Sequence, residues 1–395
     1  MAVPEDAPAG AAATLEQGVP RLVIHGWRFI HHSYAIVAQS HALALLRRGD
    51  VDLRFVDLPF PTGAWQCSAG IFDAADERRL ASLRSPDAGF SAAATLRYAR
   101  DFSVPASGRA FVFDTPEFRV LRPGVARKLA ATAGDAERIH MLVPSRWAGE
   151  AYLRFGIAPE RVHVVPHGID ERLLHPDSDR REASRRALGV GGRFVFLSVG
   201  AMTENKGVDL LLRSFAQVAR RHAEAWLVLK GADDLYGSRK LLGRTLDALG
   251  TAEREIVASR LTYLGDRRSA QDMADLLRAA DCYVAPYLAE GFNLPVLEAA
   301  ACGVPVICTA GGATDDFATP TFAWRIRSRL DWVRTDFRVV GEILQPDIEH
   351  LVELMAQAIA DPGLARRMGA DGALHAARDY TWDRVTQRLV DVLFG

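Results

Sequence analysis

Two carboxylates lie on either side of the start of a predicted helix in the second half of the chain. Glu290 opens the loop that ends at Asn293, and Glu298 falls in the early turns of the helix that follows. Asn293 favours the N-cap position, and Pro295 suits the first turn. The free main-chain N–H groups at such a helix start form an anion site. The pattern therefore predicts a phosphate site with a hydroxyl-rich group beside each carboxylate.

Taken alone, the pattern fits equally well a solvated Glu290 and a Glu298 that only complements the helix dipole. The stretch Cys282–Cys308, however, resembles the Glu-x7-Glu signature of the family 4 retaining glycosyltransferases. The resemblance implies that Glu290 contacts the donor sugar and that Glu298 holds the ribose of the nucleotide. It also implies that the amides between them hold the β-phosphate, namely those of Gly291, Phe292, Asn293 and Leu294. Asn293 departs from the family, which usually has glycine there.

A second motif surrounds Lys206, in the stretch Phe194–Arg213, which reads as a strand, a loop and a helix. It is similar to the family's phosphate-binding segment, in which an Arg after a Gly and a Lys before a Gly grip the diphosphate. The resemblance implies that role for Lys206, which would otherwise be interpreted as an exposed loop lysine. The Arg position holds Ala201, so another cation must supply the missing charge. The candidates are Lys230 and the pair Arg267–Arg268.

The same resemblance places further residues at the donor. Leu264 and Gly265 match the position at which the family cradles the nucleotide base with main-chain groups. The loop Gly311–Asp315 is expected to border the same cleft. The donor-binding residues predicted from the sequence are Gly291, Phe292, Asn293, Leu294, Glu298, Lys230, Leu264 and Gly265.

The first half of the chain carries weaker signals. A dinucleotide-binding fold needs G-x-G-x-x-G after its first strand, and the segment His25–Tyr34 has a single glycine, which disfavours an NAD or FAD enzyme. His31 and His32 lie where the family contacts donor phosphate or acceptor, and Asp114 and Glu117 lie where it has a polar residue near the anomeric carbon. Each of the four is as readily a scaffold residue. The predicted catalytic residues are Glu290, Lys206, His31, His32 and Asp114.

Short β-branched runs alternate with amphipathic segments along both halves, a pattern typical of parallel sheets. We predict an α/β protein with two Rossmann-like, doubly wound domains facing a central cleft, the GT-B arrangement that the resemblance implies. Ligands bind such folds at the carboxyl ends of the strands. The predicted strands are Leu22–His25, Leu53–Asp57, Ala110–Asp114, Ile139–Val143, Val162–Val165, Phe194–Val199, Trp226–Lys230, Leu261–Leu264, Cys282–Pro286 and Val304–Cys308.

The joint between the predicted domains falls at Pro166–Asp170, where Pro and Gly follow a strand. Four parts are expected. Residues 1–19 form a disordered tail, 20–168 the acceptor-side domain and 169–378 the nucleotide-sugar-binding domain. Residues 379–395 form a terminal helix that crosses back to the first domain, because its apolar residues recur at helical spacing. Ser145 matches a common family motif and is expected to be structural.

The composition disfavours several classes of protein. The 395 residues carry a formal net charge of −1, so the overall charge does not favour nucleic acid as a partner. No apolar run is long enough to span a membrane, and the first residues lack a signal-peptide pattern. With four scattered cysteines, these features predict a cytoplasmic protein and leave peripheral membrane contact open. No zinc-type histidine spacing and no Asp-x-Asp motif after a strand is found, so we expect neither a metal nor another cofactor.

Together these features predict a retaining glycosyltransferase that moves a hexose-type sugar from a UDP- or GDP-sugar to a hydroxyl group of a glycan, lipid or small molecule. No carboxylate can be assigned as a nucleophile, which favours a front-face displacement assisted by the leaving phosphate. Two alternatives stay open: a sugar-nucleotide epimerase on the same fold, and a non-catalytic nucleotide-sugar-binding protein. Arg325, Arg327 and Arg329 alternate along the chain, which favours a solvated basic face over a grip on an anionic acceptor.

Overall fold

The structure is a computed structural model that describes residues 18–60, 66–131, 136–334 and 340–395. Two six-stranded parallel sheets form its two halves, and helices pack on them. The predicted tail at residues 1–19 lies, except for its last two residues, outside the described residues. Among the described residues, no helix is long and apolar enough to cross a membrane.

The first half contains strands β1 to β6 and helices α1 to α4. The strands are β1 (Arg21–Gly26), β2 (Asp52–Asp57), β3 (Ala94–Arg97), β4 (Arg109–Phe113), β5 (Ile139–Val143) and β6 (Val162–Val164). The helices are α1 (Ser33–Arg48), α2 (Ala74–Ser82), α3 (Pro123–Ala130) and α4 (Arg146–Arg154). All strand pairs are parallel, in the order β2-β1-β3-β4-β5-β6.

The second half contains a sheet in the order β12-β11-β10-β7-β8-β9, again all parallel. Its strands are β7 (Phe194–Val199), β8 (Ala225–Lys230), β9 (Leu261–Leu264), β10 (Cys282–Ala285), β11 (Val306–Thr309) and β12 (Ala323–Ile326). Its helices are α5 (Ser178–Ala187), α6 (Val208–Arg221), α7 (Asp233–Tyr236), α8 (Ser238–Asp247), α9 (Thr251–Ser259), α10 (Ala270–Ala279), α11 (Leu294–Ala301), α12 (Ile348–Ala360) and α13 (Pro362–Asp379).

Three elements lie outside this scheme. Strands β13 (Ser328–Arg334) and β14 (Val340–Pro346) pair antiparallel as a separate hairpin, and helix α14 (Trp382–Phe394) ends the chain. Short 3₁₀ turns cover Ala136–Arg138, Pro159–Arg161, Glu204–Lys206 and Ala313–Asp316.

The predicted two-domain α/β fold is confirmed, and all ten predicted strands occur within two residues of their predicted bounds. Strands β3 and β12 and the hairpin were not predicted. Strand β3 is only four residues long and contains Ala, Thr and Arg, yet all four residues are buried. Apart from Thr95 the strand has no residue that favours strands, and pairing with the neighbouring strands β1 and β4 keeps the segment extended.

In each sheet the chain winds to both sides of one pair of strands. In the second sheet it runs from β7 through β8 to β9 on one side, and from β10 through β11 to β12 on the other. The first sheet divides in the same way between β1 and β3. The loops that leave the carboxyl ends of such a pair diverge and open a crevice, where ligands of this fold class bind.

Helix α14 completes the core of the first half. Its buried residues Val385, Leu389 and Leu393 belong to the same apolar cluster as Leu22 and Phe55 of the first sheet. Arg47 of α1 donates a 2.7 Å hydrogen bond to Asp383 at the start of α14. Helix α14 therefore packs against the first half of the chain.

The predicted joint lies where the chain passes between the halves twice. Ile169 donates a 2.7 Å hydrogen bond to the Tyr380 carbonyl, and Trp382 donates a 3.1 Å bond back to the Ile169 carbonyl. A side chain on Gly168 would come within 2.8 Å of the Trp382 nitrogen, so only glycine allows the two passes to lie this close. The two connections therefore run side by side.

Truncation of Leu389 tests the contribution of α14. Leu389 is fully buried, so Leu389→Ala is expected to lower the free energy of unfolding by about 2–5 kcal/mol. Leu374→Ala on α13 is the matched control, because Leu374 is 70% exposed and its removal leaves no cavity. Urea denaturation of both variants measures the difference, and equal stabilities would contradict the packing of α14 into the core.

Candidate active site

Lys206 and Glu290 form an ion pair at the crevice of the second sheet. Lys206 ends the 3₁₀ turn that follows β7, and Glu290 lies in the loop that follows β10. The Lys206 Nζ lies 2.5 Å from Glu290 Oε1, and the Glu290 side chain is only 7% exposed. Burial lowers the pKa of Lys206, but the carboxylates of Glu290 and Glu117 outweigh burial and raise that pKa above its usual value. The structure therefore brings together two of the predicted catalytic residues.

A glycine allows the two loops to approach. Gly207 has φ +66°, and a Cβ on it would lie 2.0 Å from the carbonyl oxygen of Pro286. Any other residue would push the turn after β7 away from the loop after β10. Asn205 joins the same loops, because its carbonyl accepts a 2.8 Å hydrogen bond from Leu288 N and its side chain donates a 3.1 Å bond to the Ala289 carbonyl.

The start of α11 leaves its main-chain donors open. No described residue accepts a hydrogen bond from the N–H groups of Gly291, Phe292, Asn293 or Leu294. Asn293 occupies the N-cap position as predicted, but its side chain makes no capping bond, which corrects the expected reason for its presence. Its φ of 70° is left-handed, a conformation that Asn tolerates better than most residues other than Gly. Asn293 therefore keeps a backbone shape that glycine would also adopt.

Glu298 lies in the second turn of α11, and its carboxylate has no hydrogen-bond or ion-pair partner among the described residues. No hydrogen bond from the described residues reaches its carboxylate, and burial raises its pKa to about 7. A half-buried carboxylate without a donor is costly, because burial removes its hydration. Hydroxyl groups of a ligand would supply the missing donors.

The three cations considered as replacements for the Arg missing at Ala201 all lie near carboxylates of their own domain. Arg267 pairs with Asp234 at 2.6 Å, and Arg268 lies 3.3 Å from Asp266. Lys230 is buried and donates to the Gly231 carbonyl. Burial lowers the pKa of Lys230, and Asp266 acts against it. Their charge is therefore partly neutralised before any ligand binds.

The predicted base-binding residues Leu264 and Gly265 accept hydrogen bonds from the loop that follows β8. The carbonyls of Leu264 and Gly265 accept hydrogen bonds from Gly231 N at 2.8 Å and Asp233 N at 3.1 Å. A side chain on Gly265 would collide with the Asp233 carboxylate at 1.9 Å. These contacts tie the ends of β8 and β9 together at the crevice.

The two histidines of the first half differ in their surroundings. His32 is the N-cap of α1 and accepts a 3.3 Å hydrogen bond from Tyr34 N, and burial lowers its pKa to about 4. His31 faces the second half, where Arg267 and Lys230 act with burial to lower its pKa. His31 therefore lies across the cleft from Lys230 and Arg267. His32, in contrast, has a scaffold role at the start of α1.

Asp114 is occupied by a hydrogen-bond network within the first half. It is 2% exposed and accepts bonds from Arg100 Nε at 2.7 Å, Tyr152 OH at 2.7 Å and Tyr34 OH at 3.1 Å. Glu117, three residues further on, reaches the site instead. Its Oε2 lies 3.4 Å from Asn205 Nδ2, and its charge acts on Lys206. The carboxylate that the first half contributes to this cleft is therefore Glu117, which the sequence had offered only as an alternative to Asp114.

Gly291 is the point at which the first half touches the loop between β10 and α11. Ser145 Oγ donates a 2.6 Å hydrogen bond to the Gly291 carbonyl while it caps α4 by accepting from Ala148 N. A side chain on Gly291 would come within 2.9 Å of Thr115. Ser145 has the structural role expected from its motif, but the motif gave no sign that its partner would be in the other half.

The arginines of the segment 325–329 are paired within the second half. Arg325 bonds to Asp315, Arg327 lies 3.3 Å from Asp347 and Arg329 lies 3.7 Å from Asp331. Among the described residues no group of three His, Cys, Asp or Glu side chains is arranged to hold a metal ion.

The fold and the paired crevices define a two-domain protein of the GT-B class. Residues 193–322 match the family described as Glycosyl transferases group 1, and this segment contains both Lys206 and the Glu290–Glu298 signature. The chain thus carries a glycosyl transferases group 1 domain, and the family resemblance predicted from the sequence is confirmed.

Similar proteins extend the comparison. The chain is 26% identical over 256 residues to the MMP alpha-(1->4)-mannosyltransferase of Mycolicibacterium hassiacum, covering 64% of this chain and 53% of that protein. It is 27% identical over 312 residues to the GDP-mannose-dependent alpha-(1-6)-phosphatidylinositol monomannoside mannosyltransferase of Mycolicibacterium smegmatis, covering 78% and 75%. The chain spans about half the length of the first of these relatives.

The fold also matches solved structures over nearly the whole chain. The structure of Alr3699/HepE from Anabaena in complex with UDP and glucose superimposes with a TM-score of 0.68 at 15% sequence identity. The match covers 95% of this chain and 99% of that one. At this identity the likeness shows the fold alone. Both halves of the chain have the architecture of a GT-B protein.

Glu298→Gln tests the unpaired carboxylate without any ligand. An unfolded Glu titrates near 4.5 and the folded one at about 7, so ionisation of Glu298 lowers stability between these pH values and the penalty persists above them. At pH 8 the variant is expected to be more stable than the wild type by roughly 1–2 kcal/mol, and at pH 4 equally stable.

The same variant is expected to bind GDP or UDP about tenfold or more weakly, because ribose hydroxyls lose a charged acceptor. Thermal denaturation at the two pH values and calorimetric titration with the nucleotides measure both effects. Glu255→Gln, an exposed change on α9, is the control. A variant with unchanged stability and unchanged nucleotide affinity would exclude Glu298 from the site.

Proposed function

We propose that this chain is a retaining, nucleotide-sugar-dependent glycosyltransferase that moves a hexose-type sugar from a UDP- or GDP-sugar to a hydroxyl acceptor. The observation that carries the proposal is the row of N–H groups at Gly291–Leu294, which no described residue accepts from, directly after the Glu290 that pairs with Lys206. Main-chain donors at a helix start and a lysine at 2.5 Å from the same loop suit a diphosphate. The family domain at 193–322 supports the assignment.

The names of similar proteins support the donor class. Two of them are described as GDP-mannose-dependent mannosyltransferases, and the similar solved structure from Anabaena holds UDP and glucose. A binding screen against UDP-glucose, UDP-galactose, UDP-N-acetylglucosamine and GDP-mannose, followed by release of the nucleoside diphosphate, tests the proposal. Absence of both binding and turnover with all four donors would contradict it.

In the proposed reaction the α11 amides and Lys206 hold the diphosphate. The diphosphate gains negative charge as the glycosidic bond breaks, and groups fixed in advance stabilise that charge without reorganising. Lys206 must then exchange part of its contact with Glu290 for the phosphate, which leaves Glu290 free to accept from sugar hydroxyls. Glu298 accepts from the ribose. His31, which faces Lys230 and Arg267 across the cleft, is proposed to contact the donor or acceptor.

Removal of Lys206 is expected to slow turnover more than it weakens binding. The cation matters most where the phosphate charge builds, so Lys206→Ala is expected to lower kcat by about a hundredfold or more while KM changes less. Lys240→Ala on α8 is the matched control, because Lys240 is exposed. Steady-state release of nucleoside diphosphate measures both constants, and an unchanged kcat would contradict the role of Lys206.

Metal is not required in this proposal, because Lys206 and main-chain donors supply the positive charge. Turnover is therefore expected to be unchanged within about twofold when the protein is dialysed against EDTA and assayed with excess chelator. Nucleoside diphosphate release with and without EDTA, then with added Mg²⁺ or Mn²⁺, makes the comparison. Loss of turnover that either metal restores would replace this account with a metal-assisted one.

A further inference from the structure

Strand β14 contacts both halves of the protein along one edge. Glu342 N donates a 2.9 Å hydrogen bond to the Phe118 carbonyl of the first half, and Leu344 N donates a 2.7 Å bond to the Leu288 carbonyl of the second. Because these carbonyls use both N–H groups, this is the edge of β14 that β13 leaves free. Two residues of a strand span about 7 Å, so the two contacts are near neighbours. A displacement of Phe118 is therefore passed along β14 to Leu288.

Both contacts of β14 lead to charged residues of the candidate site. Leu288 N donates a 2.8 Å hydrogen bond to the Asn205 carbonyl, one residue before Lys206, and Glu290 lies two residues after Leu288. On the other side, the residue that β14 binds in the first half directly follows Glu117, whose charge acts on Lys206. Strand β14 thus joins the cleft-facing segment of the first half to the loops that carry the Lys206–Glu290 pair.

The side chain of Glu342 adds an ionic contact between the halves. It is 4% exposed, and its two oxygens accept 2.7 Å hydrogen bonds from Arg119 and Arg154 of the first half. Glu150, also of the first half, lies 3.5 Å from each of these arginines. The network therefore holds two positive and two negative side chains, and Glu342 is the member that comes from the second half.

The backbone around Arg119 is adapted to this contact. Arg119 has φ +56°, a left-handed conformation that is unfavourable for a residue other than Gly. Its guanidinium lies 4.7 Å from the ring centre of Trp147. A Cβ on Gly341 would lie 2.6 Å from the Phe118 Cβ, so a larger residue there would push β14 away. Strain that is kept in place by neighbouring contacts is typical of segments whose geometry matters for function.

The contact also has the composition of one that can open. The side chains of Arg154 and Glu150 are 38% and 39% exposed, so water reaches the network from its rim. When the halves separate, each charged group regains hydration and loses its partner, so the net cost of opening is much smaller than the attraction between the charges. An ionic contact with these properties suits two bodies that move relative to each other.

We propose that Glu342 is a positioning residue that latches the first half onto the donor loops of the second half. The latch is the contact of Glu342 with Arg119 and Arg154. The inference rests on the proposed glycosyltransferase function and adds the device that sets the angle between the halves during turnover. When the latch is broken, the Lys206–Glu290 loops keep their own contacts but lose the fixed position of the acceptor side. Glu342 acts in this way without touching donor or acceptor.

The rival role for this network is to stabilise the fold alone. The two roles differ in what Glu342→Gln changes. A latch residue changes the separation of the halves and the turnover rate, whereas the affinity for GDP or UDP stays the same, because the groups proposed to hold the nucleotide belong to the second half. A purely stabilising residue changes the midpoint of unfolding and leaves the separation and the rate unchanged.

The separation of the halves is measured with two nitroxide labels in the full-length protein. Cys67 of the first half is exposed, and the other three cysteines are buried, so a thiol label reacts with Cys67. Lys240→Cys, at an exposed position on α8, supplies the second label in the second half. Dipolar electron paramagnetic resonance then gives the distribution of distances between the labels. We expect one narrow distribution with Glu342 and a broader one with a longer component in Glu342→Gln.

The same substitution is then assayed without labels. Misplacement of reacting groups by about 1 Å is costly, so Glu342→Gln is expected to lower kcat for release of nucleoside diphosphate from the donor panel about tenfold or more. Calorimetry is expected to give affinities for GDP and UDP within about twofold of wild type.

Two further variants complete the comparison. Arg154→Gln removes one of the two bonds to Glu342 at a partly exposed position, and is expected to change distance and rate in the same direction by less. Asp331→Asn is the matched control, because Asp331 lies on β13 of the same hairpin and is 44% exposed. It is expected to behave as wild type.

The results separate the two roles. Unchanged distances or an unchanged kcat in Glu342→Gln overturns the inference and leaves the proposed function in place, and a lower unfolding midpoint alone assigns the network to stability. Loss of rate with weaker binding of GDP and UDP at unchanged distances also overturns it. If Glu342→Gln does not fold, Arg154→Gln decides by the same criteria. A wild type that neither binds nor turns over any donor of the panel overturns the proposed function, whereas the distance measurement needs no donor and still tests the latch.

Discussion

The ion pair between Lys206 and Glu290 joins the two loops that leave the second sheet where its strand order divides. Lys206 comes from one loop and Glu290 from the other. The loops can approach because Gly207 has no side chain, so the turn after β7 lies against the Pro286 carbonyl. The pair is partly buried, and such pairs gain little net stability after desolvation. Its value lies in holding a cation and a carboxylate together while both can still change partners.

The two halves meet at this same place, and Trp147 of the first half also belongs to the apolar cluster of the second half. Ser145 and Thr115 contact Gly291, and Glu117 faces Lys206, so the first half touches the loop between β10 and α11. A second contact lies between Arg119 and Glu342 on the hairpin. Any change in the angle between the halves must therefore move groups at the site.

The residues that follow strands could be predicted, because the pattern of parallel strands puts the ends of β7 and β10 at one edge. The helix start at Asn293 and the carboxylate of Glu290 before it followed from the residues, whereas the role of Lys206 came from the resemblance to the family. The choice between Asp114 and Glu117 could not be made, since it depends on Tyr34, Arg100 and Tyr152, which come from three separate segments and surround Asp114. Short-range pattern contains no information on which carboxylate of a loop is enclosed.

The same limit applies to the reason for Asn293. Its type suggested a side-chain cap, whereas its backbone is left-handed and its side chain makes no such bond. Strand β3 was missed for a related reason, because its extended form depends on pairing with β1, which is distant in sequence. Ser145 and Gly291, which connect the two halves, are 146 positions apart in the sequence. A contact of this kind leaves no local signature.

The packing of α14 has a consequence for synthesis on the ribosome. The second half has its own strands, but the apolar cluster of the first half includes Trp382, Val385, Leu389 and Leu393. The amino-terminal sheet therefore leaves the exit tunnel first and must wait, with part of its apolar surface uncovered, while more than two hundred further residues are translated. Chains that expose such surface during translation are the ones that chaperones bind. The order in which the halves emerge is thus the reverse of the order in which they can finish folding.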